Sequence, residues 1–334
     1  MEKERIKWVD IAKGIGIVCV VMGHIFSAQM PAHKIIFLFH MPLFFFVSGF
    51  LYKEQPDNKA YIVKKAKNLL IPYFSVFALV FPVLIFTYMP EGYTLDMIAW
   101  DTLYYVLGGH YLRGLVYDIF IAMWFLTCLF LVQVIYNYIH TMLKKRTIHF
   151  IVFIMLIAAY INSIFYPGFS LPWSANVILM AIPIYHLGYM SRQIEVDKYS
   201  ILFIIAGLLT CASLMLFPQN TFDMMRNNYG IPFVTFISAI VCIYMVKYIS
   251  VIIAENRILR NILSELGKAS LVIMAFHLPV YQLLWKYFEI SSIPAIIVIT
   301  IIPYLFYRIF DKYKITRMLF LGKFVKITNI NKQS

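Results

Sequence analysis

The sequence predicts an all-α, polytopic bundle of about ten membrane-spanning helices with both termini in the cytoplasm, on three observations. Hydrophobic residues make up 62% of the 334 and charged residues 13%, where a soluble domain carries ~25% charge. Ten apolar stretches approach the ~20 residues that cross a bilayer. The cations collect in alternate loops. A soluble globule of this size has nowhere to hide so much apolar surface, and a disordered chain needs the opposite bias. Strands of alternating polarity are absent from the pattern, which argues against an outer-membrane barrel.

The stretches run approximately over 11–29, 34–52, 69–89, 119–139, 148–166, 174–191, 199–217, 231–251, 269–288 and 292–310. The connections 53–68, 90–118 and 252–268 are longer than the rest, and the apolar piece 103–108 reads as a re-entrant or interfacial turn. With the N-terminus inside, 24 of the 29 Lys and Arg fall in cytoplasmic segments, and Lys34, Arg113 and Arg226 fall outside; Lys13 and Lys286 lie within spans. Every loop then obeys the positive-inside rule, and one missed span would invert the bias. The net charge of +13 therefore reads as topology and contact with anionic lipid, not as nucleic-acid binding. No small-residue cleavage site clearly ends the first run and more spans follow, so it reads as an uncleaved first span of a multi-pass membrane protein and not as a signal peptide. The chain reads as a single integral membrane domain over 1–334, with its core at 6–310 and a basic cytoplasmic tail at 311–334. Cys19, Cys128, Cys211 and Cys242 all fall in apolar runs without a C-x-x-C pair, so neither a zinc site nor a disulfide framework is indicated.

Ionisable groups inside a membrane are costly, which makes each a candidate for function. The first span carries Asp10, Lys13 and His24. Eleven residues make about three turns and ~16 Å of rise, within ~20° of whole turns, so Lys13 and His24 share a face. Asp10, three residues before Lys13, is placed to pair with it. The second span brings His40 to a depth similar to that of His24, followed by Pro42, and its Ser48-Gly49 offers a small face for close approach. Ahead of the third span stands Lys64-Lys65-Ala66-Lys67, either a topological signal or a landing site for a phosphate-bearing ligand. The outer loop combines Glu91, Asp96, Asp101, His110, Arg113 and Asp118 with Tyr and Trp side chains, a mixture that grips sugars or forms an interfacial belt. Trp124-Phe125-Leu126 opens the fourth span at that surface. His33, His140, His149 and His186 read as packing or interfacial groups. The ninth span places His277 near the midplane, followed by Pro279, which frees a backbone carbonyl. Three histidines at compatible depths suggest a polar cavity, and without carboxylate or cysteine at ligand spacing on their faces no metal is expected.

The ordered set of motifs resembles the acyltransferase 3 family. Lys13-x10-His24 fits its first-helix signature, Phe39-His40-Met41-Pro42 its second-helix motif, and Lys64-x-x-Lys67 its basic pair; Trp124-Phe125-Leu126, Leu266-Gly267-Lys268-Ala269-Ser270 and Phe276-His277-Leu278-Pro279 match later elements. The chain is similar to the stand-alone, fucose 4-O-acetylase-like branch, with lysines where many relatives carry arginines. The resemblance implies transfer of an acyl group, usually acetyl, from cytoplasmic acyl-CoA to a hydroxyl of an envelope glycan or its lipid-linked precursor. Acetyl-CoA would then be the donor substrate, with its phosphates near Lys64 and Lys67 and its thioester beside Lys13. His24 would be the general base or a transient acyl carrier, Asp10 would orient Lys13, and His40 or His277 would orient His24 or stabilise the oxyanion. A transporter or flippase for a saccharide or small solute is the rival reading, since midplane histidines and proline breaks suit it too.

Overall fold

The structure, a computed structural model, describes residues 6–108, 117–193, 200–214, 216–217, 219–288 and 292–324. Among them thirteen α-helices are formed and no strand: α1 Lys7–Ile25, α2 Pro31–Phe50, α3 Asn58–Tyr88, α4 Leu95–Gly108, α5 Tyr117–Phe120, α6 Trp124–Met142, α7 Lys145–Phe165, α8 Ile178–Met190, α9 Ser200–Ser213, α10 Val234–Ile253, α11 Arg257–Phe288, α12 Ser292–Lys312 and α13 Lys314–Leu321. The protein is an all-α, polytopic membrane bundle. Lys3, Arg5, His110, Tyr111, Arg113, Lys198, Lys326 and Lys332 lie outside the described residues.

Eight helices among the described residues are long and apolar enough to span a membrane, and they correspond to eight of the ten expected stretches. The other two hold the shorter helices α8, of 13 residues, and α9, of 14. Before α8 the backbone of Trp173 and Ser174 turns to positive φ, 59° and 55°, inside the 3-10 turn Pro172–Val177. The apolar run is there, but its first part does not propagate the helix.

Hydropathy also misplaces the ends of two helices. α3 starts eleven residues before the apolar run, where the Asp57 carboxylate caps the Ala60 amide at 2.9 Å. α11 starts at Arg257, so most of the expected 252–268 loop is helix carrying Arg260, Glu265 and Lys268. A charged, amphipathic extension is invisible to an apolar window. The 103–108 piece is likewise the end of a 14-residue helix, α4. Lys247, counted among the loop cations, is buried within α10, where Trp8, Phe50 and Tyr244 surround its ammonium at 5.3–5.7 Å. Lys286, assigned to a span interior, lies in the last turn of α11 and pairs with Glu91 at 2.6 Å.

α1 is the axis of the bundle, packed against α2, α10, α11 and α12. Two glycines set its distance from α11. A Cβ on Gly14 would strike the Leu263 carbonyl, and one on Gly267 would strike the Asp10 carbonyl. The same reciprocal arrangement joins α2 to α8 through Gly49 and Gly188. In lipid, where apolar burial does not drive helices together, this close contact supplies the packing. Large apolar side chains on α7, α9 and α12, such as Phe153, Phe165, Ile201, Leu209 and Leu305, stay exposed, as surfaces solvated by lipid would.

Candidate active site

Four helices, α1, α2, α6 and α11, enclose two cavities in line. The first, of about 290 Å³, is lined by His24, His33, His40, Met41, Trp124 and Met274, with Asp223, Met224 and Arg226 at its loop side. The second, of about 200 Å³, is lined by Lys13, Phe44, Ser48, Leu69, Phe125, Ser270 and Met274 among others. Each helix contributes to both. α2 gives Met41 to one and Phe44 to the other, and α6 gives Trp124 and Phe125. Met274 lines both. The shared face read for Lys13 and His24 is thus the face that lines the cavities, each residue opening into its own.

The histidines are held by the helices that carry them. His40 Nδ1 donates to the Ile36 carbonyl at 2.8 Å. His277 Nδ1 donates to the carbonyls of Ile273 and Met274, at 3.0 and 2.9 Å. Carbonyls only accept, so each neutral ring keeps its proton on Nδ1 and its lone pair on Nε2. Both sit two residues before a proline, in the repeated sequences Phe39-His40-Met41-Pro42 and Phe276-His277-Leu278-Pro279. His277 Nε2 is buried without a hydrogen-bond partner among the described residues, and its ring centroid lies 5.1 Å from that of His24. His277 does not itself line the cavity; it stands behind His24. Among the described residues no hydrogen bond is made to His24, which leaves both its ring nitrogens available to a bound molecule.

The remaining residues sort around this pair of cavities. Asp10 is buried against α11, where its carbonyl faces Gly267. Lys64 and Lys67 are exposed on α3, with Lys67 lying over the Phe324 ring at 5.8 Å, and neither lines a cavity. Their helix does reach the second cavity through Leu69. Trp124-Phe125-Leu126 straddles the division between the cavities. Ser48 and Ser270, read from the sequence for packing and motif, place hydroxyls at the Lys13 cavity, and Ser48 Oγ accepts from Gln133 Nε2 at 2.8 Å.

Sequence reasoning passed over three features. His33, taken as interfacial, stacks on Phe37 at 4.0 Å and lines the first cavity. Asp223 and Arg226 cap that cavity from a loop closed by the Asp223–Asn228 bridge. Arg226 stands 3.6 Å from the Asp223 carboxylate, and burial raises the Asp223 carboxyl above its ordinary range against the pull of that guanidinium. The third is a hydrogen-bonded chain, Tyr136 Oη to His186 Nδ1 at 2.7 Å and His186 Nε2 to His149 Nδ1 at 2.9 Å, which touches neither cavity. Among the described residues no group of three or more His, Cys, Asp or Glu is placed to hold a metal.

A family model described as an acyltransferase domain matches residues 6–320, nearly the whole chain. The protein belongs to the acyltransferase 3 family. Every motif that carried the resemblance is on or beside the two cavities, except the Lys64-x-x-Lys67 pair at the surface. No curated protein and no solved structure matched the chain. As a member of this family the protein is a multi-pass membrane acyltransferase.

Proposed function

We propose that the protein moves an acetyl group from cytoplasmic acetyl-CoA to a hydroxyl of an envelope polysaccharide or its lipid-linked precursor, across the line of the two cavities. The observation that carries this reading is their order along four helices: an ammonium and two hydroxyls on one side of Met274, histidines on the other. An apolar cavity edged by Lys13 suits a thioester arm. A histidine cavity capped by Asp223 and Arg226 suits a polyol.

The chemistry then follows from the donors and acceptors present. The acceptor hydroxyl gives its proton to His24 as its oxygen attacks the thioester carbonyl. A C–O bond forms, the C–S bond breaks, and the proton passes to the departing thiolate to leave free coenzyme A and an ester. The negative charge on the carbonyl oxygen needs donors, and neutral His40 and His277 offer a lone pair on Nε2 instead. Lys13, with three N–H donors, and the Ser48 hydroxyl are the groups that would hold the oxyanion. His40 and His277 serve as acceptors that orient the hydroxyl and His24.

The decisive experiment reconstitutes the protein in liposomes with acyl-labelled acetyl-CoA outside and lipid-linked saccharide in the bilayer. Label on the saccharide, located by mass spectrometry as an O-acetyl ester, supports the reading. Saccharide that crosses the bilayer unmodified identifies a transporter and overturns it.

A further inference from the structure

We infer that Met274 is the partition between the donor and acceptor compartments, a positioning residue that decides whether an acyl group is transferred or hydrolysed. The inference rests on the acyl-transfer reading and adds a role that this reading does not itself require.

Met274 lies on α11, one turn beyond Ser270 and less than one turn before His277. It lines the histidine cavity and the Lys13 cavity alike. It is buried and stands at the border of the two. Its backbone is held in α11, which Gly267 seats directly against the Asp10 carbonyl of α1. The unbranched thioether on that fixed backbone can still change rotamer at low cost. A thioester carbonyl on one side and a hydroxyl on the other must come within bonding distance, ~3–3.5 Å, at this point. The side chain has to swing aside for the reaction and return afterwards. While it fills the junction, water and ions from the histidine side do not reach the thioester. If water did, its oxygen would form the new C–O bond, the C–S bond would break, and acetate and coenzyme A would be released without product.

Three substitutions separate these roles. Met274→Leu keeps volume and apolarity and is expected to retain the native ratio of transfer to hydrolysis. Met274→Ala opens the junction and should raise acceptor-independent hydrolysis of acetyl-CoA at least tenfold. Met274→Trp should abolish transfer while labelled acetyl-CoA still binds. A structural readout independent of catalysis completes the test. In sealed liposomes, with the four native cysteines replaced by alanine, Met274→Cys should react with a membrane-impermeant maleimide added from either side, because the residue borders both cavities. Labelling from one side or from neither overturns the partition, as does an alanine variant that hydrolyses no faster than the native protein. Two-sided labelling in a protein that transfers no acyl group would instead refute the acyl-transfer reading and leave the junction standing.

Discussion

The rings of His24 and His277 stand 5.1 Å apart between α1 and α11, and the second keeps a buried Nε2 that has no hydrogen-bond partner among the described residues. His24 lines the cavity and His277 stands behind it. A general base contributes about 10²–10⁴-fold in rate. His24→Ala should therefore lower acyl transfer by that factor with normal membrane abundance. His24→Gln, which keeps size and hydrogen bonding but takes no proton, should be nearly as inactive. An active Gln variant would reduce His24 to packing and move the base to His40 or His277. Measuring transfer and protein level in both variants decides between them.

The division between the cavities makes a crossed pair of kinetic expectations. Lys13→Met removes the ammonium from the proposed donor cavity while keeping the aliphatic stem. Loss of one oxyanion donor costs about 10²–10³ in kcat, and the KM for acceptor should stay unchanged. Arg226→Gln, at the far rim of the histidine cavity, should do the reverse, raising the acceptor KM several-fold with the donor KM intact. Effects on both substrates from either single variant would contradict separate compartments.

Much of this arrangement was legible in the sequence, and the reason is that lipid makes polar residues conspicuous. Lys13, His24, His40 and His277 stood out against apolar runs, and helix periodicity put the first two on one face. What escaped were features that hydropathy does not register. Lys247 reads as a loop cation because two of the three rings around it, Trp8 of α1 and Phe50 of α2, come from helices far from it in sequence and join Tyr244 of its own helix only in the fold. Asp223 and Arg226 lie in an ordinary polar loop, and only the fold sets them over the histidines. The twice-used Phe-His-Met/Leu-Pro string was visible, but its meaning required seeing both Nδ1 atoms tied to main-chain carbonyls. The 174–191 stretch reads as a full span, and the shortness of α8 within it escaped because left-handed turns at Trp173 and Ser174 leave no mark on an apolar average.

The α1–α11 seam gives a stability expectation. Gly267→Ala adds a methyl directed at the Asp10 carbonyl, and Gly14→Ala one directed at the Leu263 carbonyl. Rigid backbone on the far side leaves the helices no way to relax except by separating. Overpacking of this kind costs ~1–3 kcal/mol. Both variants should lower the thermal unfolding midpoint in detergent by several degrees. Gly168→Ala, where a Cβ meets nothing within 4 Å, is the control and should leave the midpoint unchanged. Equal midpoints for all three would mean that the helices do not approach as closely as described.

On the acetyl-CoA proposal, two basic surfaces at the Lys13 end of the bundle are candidates for the donor's phosphates, and their ion pairing tells them apart. On α3, Lys64 and Lys67 are exposed without a carboxylate in any ion pair described for them, and their helix continues directly to Leu69 at the donor cavity. The other surface is a recess of about 650 Å³ lined by Glu265, Lys268, Arg308, Asp311, Lys312 and Lys323. There Lys268 is already paired with Glu265 at 2.6 Å and Lys323 with Asp311 at 2.9 Å, so an incoming phosphate would meet two carboxylates and have to displace existing partners. The α3 pair is the better donor anchor on these grounds. Lys64→Ala with Lys67→Ala should raise the KM for acetyl-CoA about tenfold, from the loss of two charge-assisted contacts at a partly solvated face. Lys312→Gln, in the recess, should change it little. Raised ionic strength should narrow the gap between native protein and the double variant, because exposed charges are screened over ~8–10 Å. A double variant with native donor affinity, beside a weakened Lys312→Gln, would transfer the anchor to the recess and return Lys64 and Lys67 to a topological role.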